Sequence, residues 1–380
     1  MALMKAIGLM SGTSMDGIDV AMVTSDGENI VERGPAMEIE YEPATRQAIE
    51  QGLVDAQQIS NDRTSRPGKL NNLEALITGL HVDAVSTFLS VNDIMPNEVS
   101  AIGFHGQTVL HRPHDKLTAQ LGDGALLAKK TNIPVVFDMR AADMEAGGQG
   151  APLVPVYHQA LSQSLQSDLH REWPIAFVNI GGISNITYVP KRGDLIAFDT
   201  GPGNALIDQW VQSVAGIPFD QGGKIASEGA VDQRILNRYL AASYFSKKLP
   251  KSLDRNDFIP PTANEMELAD GARTLAYLTA KSIFMACDHL PNRPRLWIIC
   301  GGGRRNAMIM NDLADLAKAQ GCSVIDAENA GLDGGAMEAE AFAYLAIRSI
   351  LKLPLTFPGT TGCEKPTLGG VLIHSLEGGC

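Results

Sequence analysis

No apolar run in this sequence approaches the roughly 18 residues that a membrane-spanning helix requires. Aromatic residues are few, at 6%, and charged residues make up only 19%. With 44% hydrophobic residues the chain can still bury a core, which excludes a disordered or collagen-like protein. Basic residues are outnumbered: 31 Lys and Arg face 43 Asp and Glu, a formal net charge of -12. Binding nucleic acid depends on cations that neutralise phosphates, so this balance argues against such a partner. It leaves a nucleotide open, because backbone N–H groups and a divalent cation can hold its phosphates. The five cysteines (Cys287, Cys300, Cys322, Cys363, Cys380) are widely spaced and form no CxxC pair. Reduced thiols in a cytoplasmic protein are the simplest reading. The opening residues, with Lys5 and a short apolar stretch before Ser11, do not read as a signal peptide.

The common phosphate-binding motifs are also missing. Gly68-Lys69 and Gly223-Lys224 lack the upstream glycine and the following hydroxyl residue of a P-loop. Gly122-Asp123-Gly124 and Gly201-Pro202-Gly203 lack the third glycine of a dinucleotide fingerprint. The glycine-rich and catalytic loops of protein kinases are absent as well.

What the chain has is glycine, 38 residues of it, recurring as doublets and triplets between apolar runs. A length of 380 residues exceeds what one core usually serves, so two domains are expected. An apolar run ends in the polar turn SGTSMDG (11–17) and resumes as IDVAMV (18–23), which reads as a β-hairpin. The same pattern returns as AFVNI (176–180), GGISN (181–185) and ITYVP (186–190), which suggests two related domains facing each other across a cleft. Residues 43–57 and 70–91 have helical apolar spacing, and 60–69 reads as a loop. Buried strands are expected at 133–138, 195–199 and 296–300, and helices from about 307 to 319 and within 331–351. The overall class is mixed α/β.

Small residues in the first turn, Gly12, Thr13 and Ser14, offer free N–H groups and hydroxyls that can wrap an anion. Asp16 and Asp19 lie just beyond, around Gly17, placed to receive a hydrated Mg²⁺. Gly181 and Gly182 could close on the same phosphates from the other domain, and Gly301, Gly302 and Gly303 leave room for a base or ribose. Each turn alone has an ordinary tight-turn explanation. Three at strand ends point to a nucleotide.

GLMSGTSMDGID (8–19), AIGFHGQTVLHRP (101–113), AGGQGAPLVP (146–155), NIGGISNIT (179–187), FDTGPGN (198–204), CGGGRRN (300–306) and MEAEAFAYLA (337–346) strongly resemble the anhydro-N-acetylmuramic acid kinase family. The motifs follow the family's order from residue 8 to the TLGG at 367–370. The resemblance implies a two-domain, actin-like ATPase fold (RNase H-like) with ATP and Mg²⁺ in an interdomain cleft. It implies a cytoplasmic enzyme of peptidoglycan recycling, usually a homodimer. In that family's reaction water opens the internal bridge of 1,6-anhydro-N-acetylmuramic acid, and the freed 6-oxygen takes the γ-phosphoryl group of ATP. A related actin-fold kinase for another amino sugar or a hexose is the alternative.

Such a reaction needs a general base for water, and a carboxylate at a strand end suits the role. Asp199 ends the strand LIAFD and matches the family's catalytic Asp; its plainer explanation is a cap on the following Gly-Pro-Gly turn. Glu338, at the start of the last helix, matches a second motif carboxylate and could polarise the water or contact metal-bound phosphate; a favourable helix dipole would also explain it. His105, Gly106, Gln107 and Thr108 offer donors and acceptors to sugar, and Arg140 a partner for the lactyl carboxylate. A buried structural histidine, and pairing of Arg140 with Asp138 or Asp143, are the alternatives. His111 and His114 have poor zinc spacing and read as a surface loop. Tyr344 stands where the motif leads one to expect Trp, which raises a packing question. Domains are expected at 1–138 plus about 352–380, and at 139–351.

Overall fold

A computed structural model describes residues 2–12, 15–165, 172–254 and 257–375. The chain opens with the hairpin of β1 (Met4–Ser11) and β2 (Gly17–Ser25), antiparallel with Met10 opposite Asp19. β3 (Val31–Glu40) then pairs antiparallel with β2. Apolar alternation is confined to its end, where Met37 and Ile39 pack against the core; most other residues are exposed, and Gly34-Pro35 sits mid-strand. Proline is tolerated there because β3 is an edge. α1 (Pro43–Asp55) begins on a proline, whose missing N–H has no helical partner to lose. α2 (Leu70–Val91) buries Leu70, Leu73, Ile77, Val85 and Phe88 on one stripe. β4 (Ala101–Arg112), β5 (Leu117–Leu121), α3 (Gly124–Thr131), β6 (Val135–Phe137), α4 (Ala141–Glu145) and α5 (Pro155–Ser164) follow.

The second pattern begins with β7 (Ile175–Ile180), β8 (Ile183–Val189) and β9 (Ile196–Pro202). Next come α6 (Asn204–Ala215), α7 (Lys224–Ser227), α8 (Gln233–Leu240) and α9 (Leu268–Met285). β10 (Leu296–Cys300), α10 (Ala307–Gln320) and β11 (Ser323–Asp326) complete it. The chain then returns as α11 (Met337–Ile350), α12 (Pro358–Thr361) and β12 (Val371–Ile373).

The first sheet runs β12-β6-β4-β1-β2-β3, with β5 attached to β4. The second runs β11-β10-β7-β8-β9. In each, the first three strands are antiparallel and the next two parallel to the first. Setting aside the attached β5 and the returning β12, both sheets have the order third, second, first, fourth, fifth. This duplicated RNase H-like arrangement is the two-domain actin-like fold.

Two compact units result: Met1–Ser164 with Ala336–Cys380, and Leu165–Gly335. The sequence reading placed the boundaries at 138 and about 352 instead. The difference is α4, α5 and α11, which belong to the first unit. α11 lies so close to β1 and β4 that a Cβ on Gly8 would come within 1.8 Å of the Ala339 carbonyl oxygen. One on Gly103 would lie 2.0 Å from that of Phe342. Tyr157 of α5 donates to Glu340 of α11 at 2.8 Å, and Thr361 of α12 donates to Asp143 of α4 at 2.6 Å, tying α5 to α11 and α4 to α12. Tyr344 is fully buried, with its hydroxyl 3.0 Å from the carbonyls of both Gly27 and Glu28. That answers the packing question.

The core of the first unit includes Ile7, Leu9, Val20, Phe88, Ile102 and Phe104. In the second, Trp297 stacks on Phe284 at 4.7 Å beside Val178, Ile186 and Trp210. No helix among the described residues is long and apolar enough to cross a membrane.

Candidate active site

The site residues anticipated from sequence fall in both units, and each set is described within its own. In the first unit the β1–β2 turn is held from below. Ser11 Oγ donates to the Gly106 carbonyl at 3.0 Å, and Gln107 Nε2 donates to the Gly12 carbonyl at 3.2 Å. Gly106 has φ 70°, and a Cβ there would lie 2.5 Å from the Leu121 carbonyl, so glycine is required. Thr13 and Ser14 lie outside the described residues. Asp16 is exposed in the bend, and Asp19 is half-buried on β2. Asp19 acts with burial to push the Tyr41 phenol up to about 12, burial being the larger cause. The buried Gln107 Oε1 has no hydrogen-bond partner among the described residues, whereas the Tyr41 hydroxyl has Ser11 beside it. The Gly12 turn therefore lies beside an unspent amide oxygen, with two carboxylates nearby. That donor set fits a hydrated divalent cation and phosphate; among the described residues there is no cluster of three or more ligating side chains that would bind a metal directly.

His105, Arg140 and Glu338 form a second group in the same unit. Arg140 Nη2 lies 3.0 Å from His105 Nε2, and Nη1 donates to the Gly150 carbonyl at 2.7 Å. A guanidinium only donates, so His105 Nε2 accepts. Burial, then the Arg140 charge, lowers the His105 pKa to about 3, which keeps the ring neutral. The ring rests on Phe342 of α11 at 4.8 Å. Thr108 Oγ1 is 3.5 Å from the same nitrogen and accepts from Gln120 Nε2 at 3.3 Å. His105 thus orients Arg140.

Neither aspartate consumes that arginine. Asp138 is taken by Arg63 in a bidentate pair at 2.8 and 2.6 Å, and Asp143 accepts from Gly150 N and Thr361 Oγ1. Burial brings Arg140 down to about 10, with Glu338 and then Asp143 opposing, so it remains a cation at neutral pH. Its buried Nε has no partner among the described residues. Burial raises the Glu338 carboxyl above the ordinary range, and Arg140 offsets part of that.

In the second unit Asp199 sits on β9 opposite Asn185. Its Oδ2 accepts from the Leu253 N–H at 2.8 Å, and its carbonyl accepts from the Tyr244 hydroxyl at 2.6 Å. Neither partner is local, so a cap on the Gly-Pro-Gly turn does not explain this residue. Burial pushes the carboxyl up to about 6, against the Leu253 N–H and Lys251. Oδ1 accepts no hydrogen bond among the described residues. Sequence reasoning missed Lys251, which is only 6% exposed and whose carbonyl accepts from Asp199 N at 3.3 Å.

The glycines of this unit divide. Gly181 and Gly182 spend their carbonyls on the N–H groups of Gly203, Asn204 and Ala205, which caps α6 and occupies its first amides. A Cβ on Gly181 would make an ordinary contact at 3.5 Å, and one on Gly182 a tight contact with Ala205 Cβ at 3.3 Å. At Gly302 a Cβ would only touch Asn204 Nδ2 at 3.8 Å, whereas one on Gly301 would meet Asn179 Oδ1 at 2.1 Å and one on Gly303 would meet Ile180 Cγ2 at 2.2 Å. Gly301 and Gly303 thus serve close packing, and Gly302 has room for a side chain.

A sequence profile described as anhydro-N-acetylmuramic acid kinase matches residues 4–375. The chain belongs to the anhydro-N-acetylmuramic acid kinase family. A relative of that name from Brucella canis is 55% identical over 98% of this chain and 99% of its own length. Those from Agrobacterium fabrum and Rhizobium etli are 53% and 51% identical, each over 97% of this chain and 98% of its own. The seven motifs fall on strands, turns and one helix: 101–113 is mostly β4, and 337–346 lies within α11. The family motif around Glu338 lies in the first unit, and that around Asp199 in the second.

Proposed function

We propose that this protein is an ATP-dependent kinase that hydrolytically opens 1,6-anhydro-N-acetylmuramic acid and phosphorylates its 6-oxygen. The products are N-acetylmuramic acid 6-phosphate and ADP, in the recycling of peptidoglycan. One observation carries the reading within a chain of this family: Asp199. It is a half-buried carboxylate in the middle of β9, not at the strand end that LIAFD suggests, with one oxygen fixed by a distant N–H and a pKa raised to about 6. A general base works best when its pKa lies near the working pH, and burial has moved this group there.

In this reading Asp199 takes a proton from the water that attacks the anomeric carbon. The C1–O6 bond breaks, and O6 captures the γ-phosphoryl group as ADP leaves. No separate acid need protonate O6, unlike the usual pair of glycosidase carboxylates. Arg140, oriented by His105, pairs with the lactyl carboxylate. Gly106, Gln107 and Thr108 hold that corner and the Gly12 turn in place. Glu338, beside Arg140, helps polarise the water or contacts metal-bound phosphate. Gly12, Thr13, Ser14 and Gly17, with Gly181 and Gly182, hold the phosphates, and Gly301–Gly303 the nucleoside. Asp16 and Asp19 hold Mg²⁺ through water. Bound Mg²⁺ would supply charge neutralisation at the transferred phosphoryl group. A cytoplasmic homodimer is the assembly that the family resemblance suggests.

The test is ADP release from Mg-ATP with 1,6-anhydro-N-acetylmuramic acid, free N-acetylmuramic acid, N-acetylglucosamine and glucose in parallel. Preference for the anhydro sugar is expected. Faster turnover of a free sugar would assign the chain to ordinary hydroxyl phosphorylation.

A further inference from the structure

Lys251 is a buried cation that the reading above leaves without a task. Its side chain runs between two aromatic rings, with Nζ 5.3 Å from the centre of Phe198 and 4.8 Å from that of Tyr244. Nζ also lies 3.0 Å from His289 Nε2 and 3.5 Å from the Phe245 carbonyl. None of these partners carries a negative charge, and a lysine needs strong reason to be buried among them. The main chain around it explains the placement. The Lys251 carbonyl accepts from Asp199 N at 3.3 Å, and two residues on, Leu253 N–H grips Asp199 Oδ2. Tyr244, whose ring flanks the ammonium, donates to the Asp199 carbonyl. The segment from 244 to 253 therefore holds both the backbone and the carboxylate of Asp199, and Lys251 is its buried anchor.

We propose that Lys251 is a positioning residue for Asp199: its enclosed side chain anchors the segment that grips and aims the carboxylate, and sets the charge facing it. The inference rests on Asp199 as the base. The direction of mutual influence agrees with it, since Lys251 holds the Asp199 carboxyl lower than burial alone would, and Asp199 holds Lys251 higher. The other titratable groups facing the pair are His289, against Nζ, and Tyr244, whose phenol burial and Asp199 push upward, with Asp257 adding to that.

The experiment compares the pH profiles of kcat/KM for the native protein, Lys251→Met and Lys251→Arg. The base must be ionised, so activity falls as pH drops through the Asp199 pKa, near 6. Loss of the ammonium should move that acidic limb upward by about 1 pH unit, and the Arg variant should bring it back. A purely structural lysine would lower the melting temperature and leave the limb where it was, which would overturn the proposal. Should Lys251→Met fail to fold, the reciprocal measurement decides. Coupling between two charges is mutual, so Asp199→Asn should lower the Lys251 titration, followed by its ¹³Cε resonance in labelled protein, by about the same 1 pH unit. An unmoved resonance refutes the coupling whether or not Asp199 is the base. Failure of the base assignment itself shows separately, as near-native turnover in Asp199→Asn.

Discussion

Replacing Asp199 by Asn should make the protein more stable at neutral and alkaline pH while it abolishes most of the activity. The carboxyl has an ordinary value of 3.8 and is raised to about 6 by burial. A folded-state pKa above the unfolded one contributes stability that is complete below pH 3.8 and is lost as pH rises through 6. At pH 8 the ionised form therefore costs the folded state up to about 3 kcal/mol. An Asn can still accept from Leu253 N–H, so the grip on the side chain survives the change. Lys251 loses the partner that supports its charge, which returns part of the gain. The net expectation is roughly 1–3 kcal/mol of added stability at pH 8, shrinking towards zero near pH 4. Denaturant midpoints of the two proteins at pH 4, 6 and 8 provide the measurement. A variant that is less stable at pH 8, or equally altered at all three values, would refute the claim that Asp199 is ionised at a cost.

Gly103→Ala should destabilise the first unit by roughly 3 kcal/mol, because its Cβ would lie 2.0 Å from the Phe342 carbonyl and displace α11; thermal melting checks this. Tyr344→Phe should cost about 1–2 kcal/mol, since the Glu28 carbonyl loses its hydroxyl partner while Arg348 still serves that of Gly27. Arg140→Gln should raise KM for the anhydro sugar roughly 10- to 100-fold and leave KM for ATP unchanged, as a lost charge-assisted pair would. Steady-state kinetics with each substrate varied in turn would show the split.

The strand–turn–strand repeats at 8–23 and 176–190 were legible because apolar runs broken by small polar residues have few other readings. The final helix was legible too, but not its allegiance. Its alanines and aromatics say that it is buried, while the sheet that buries it is revealed by Gly8 and Gly103, far away in sequence. β3 carried only a short apolar signal, Met37 and Ile39, because an edge strand largely facing water needs little. Among the site residues, Asp199, His105 and Arg140 stood out by their chemistry, although Asp199 and His105 lie within β9 and β4 and not at strand ends. Lys251 did not: in KKLPKSLDR it reads as one more surface cation. Only the aromatic walls of Phe198 and Tyr244 show that this charge is enclosed.

The coupling of hydrolysis to phosphoryl transfer is tested most directly by turnover of 1,6-anhydro-N-acetylmuramic acid with Mg-ATP in oxygen-18 water, read by mass spectrometry. The account predicts a ring-opened sugar phosphate carrying one heavy oxygen, at the anomeric position. Phosphorylated sugar without the heavy oxygen there, or ATP turnover that leaves the anhydro bridge closed, would contradict it.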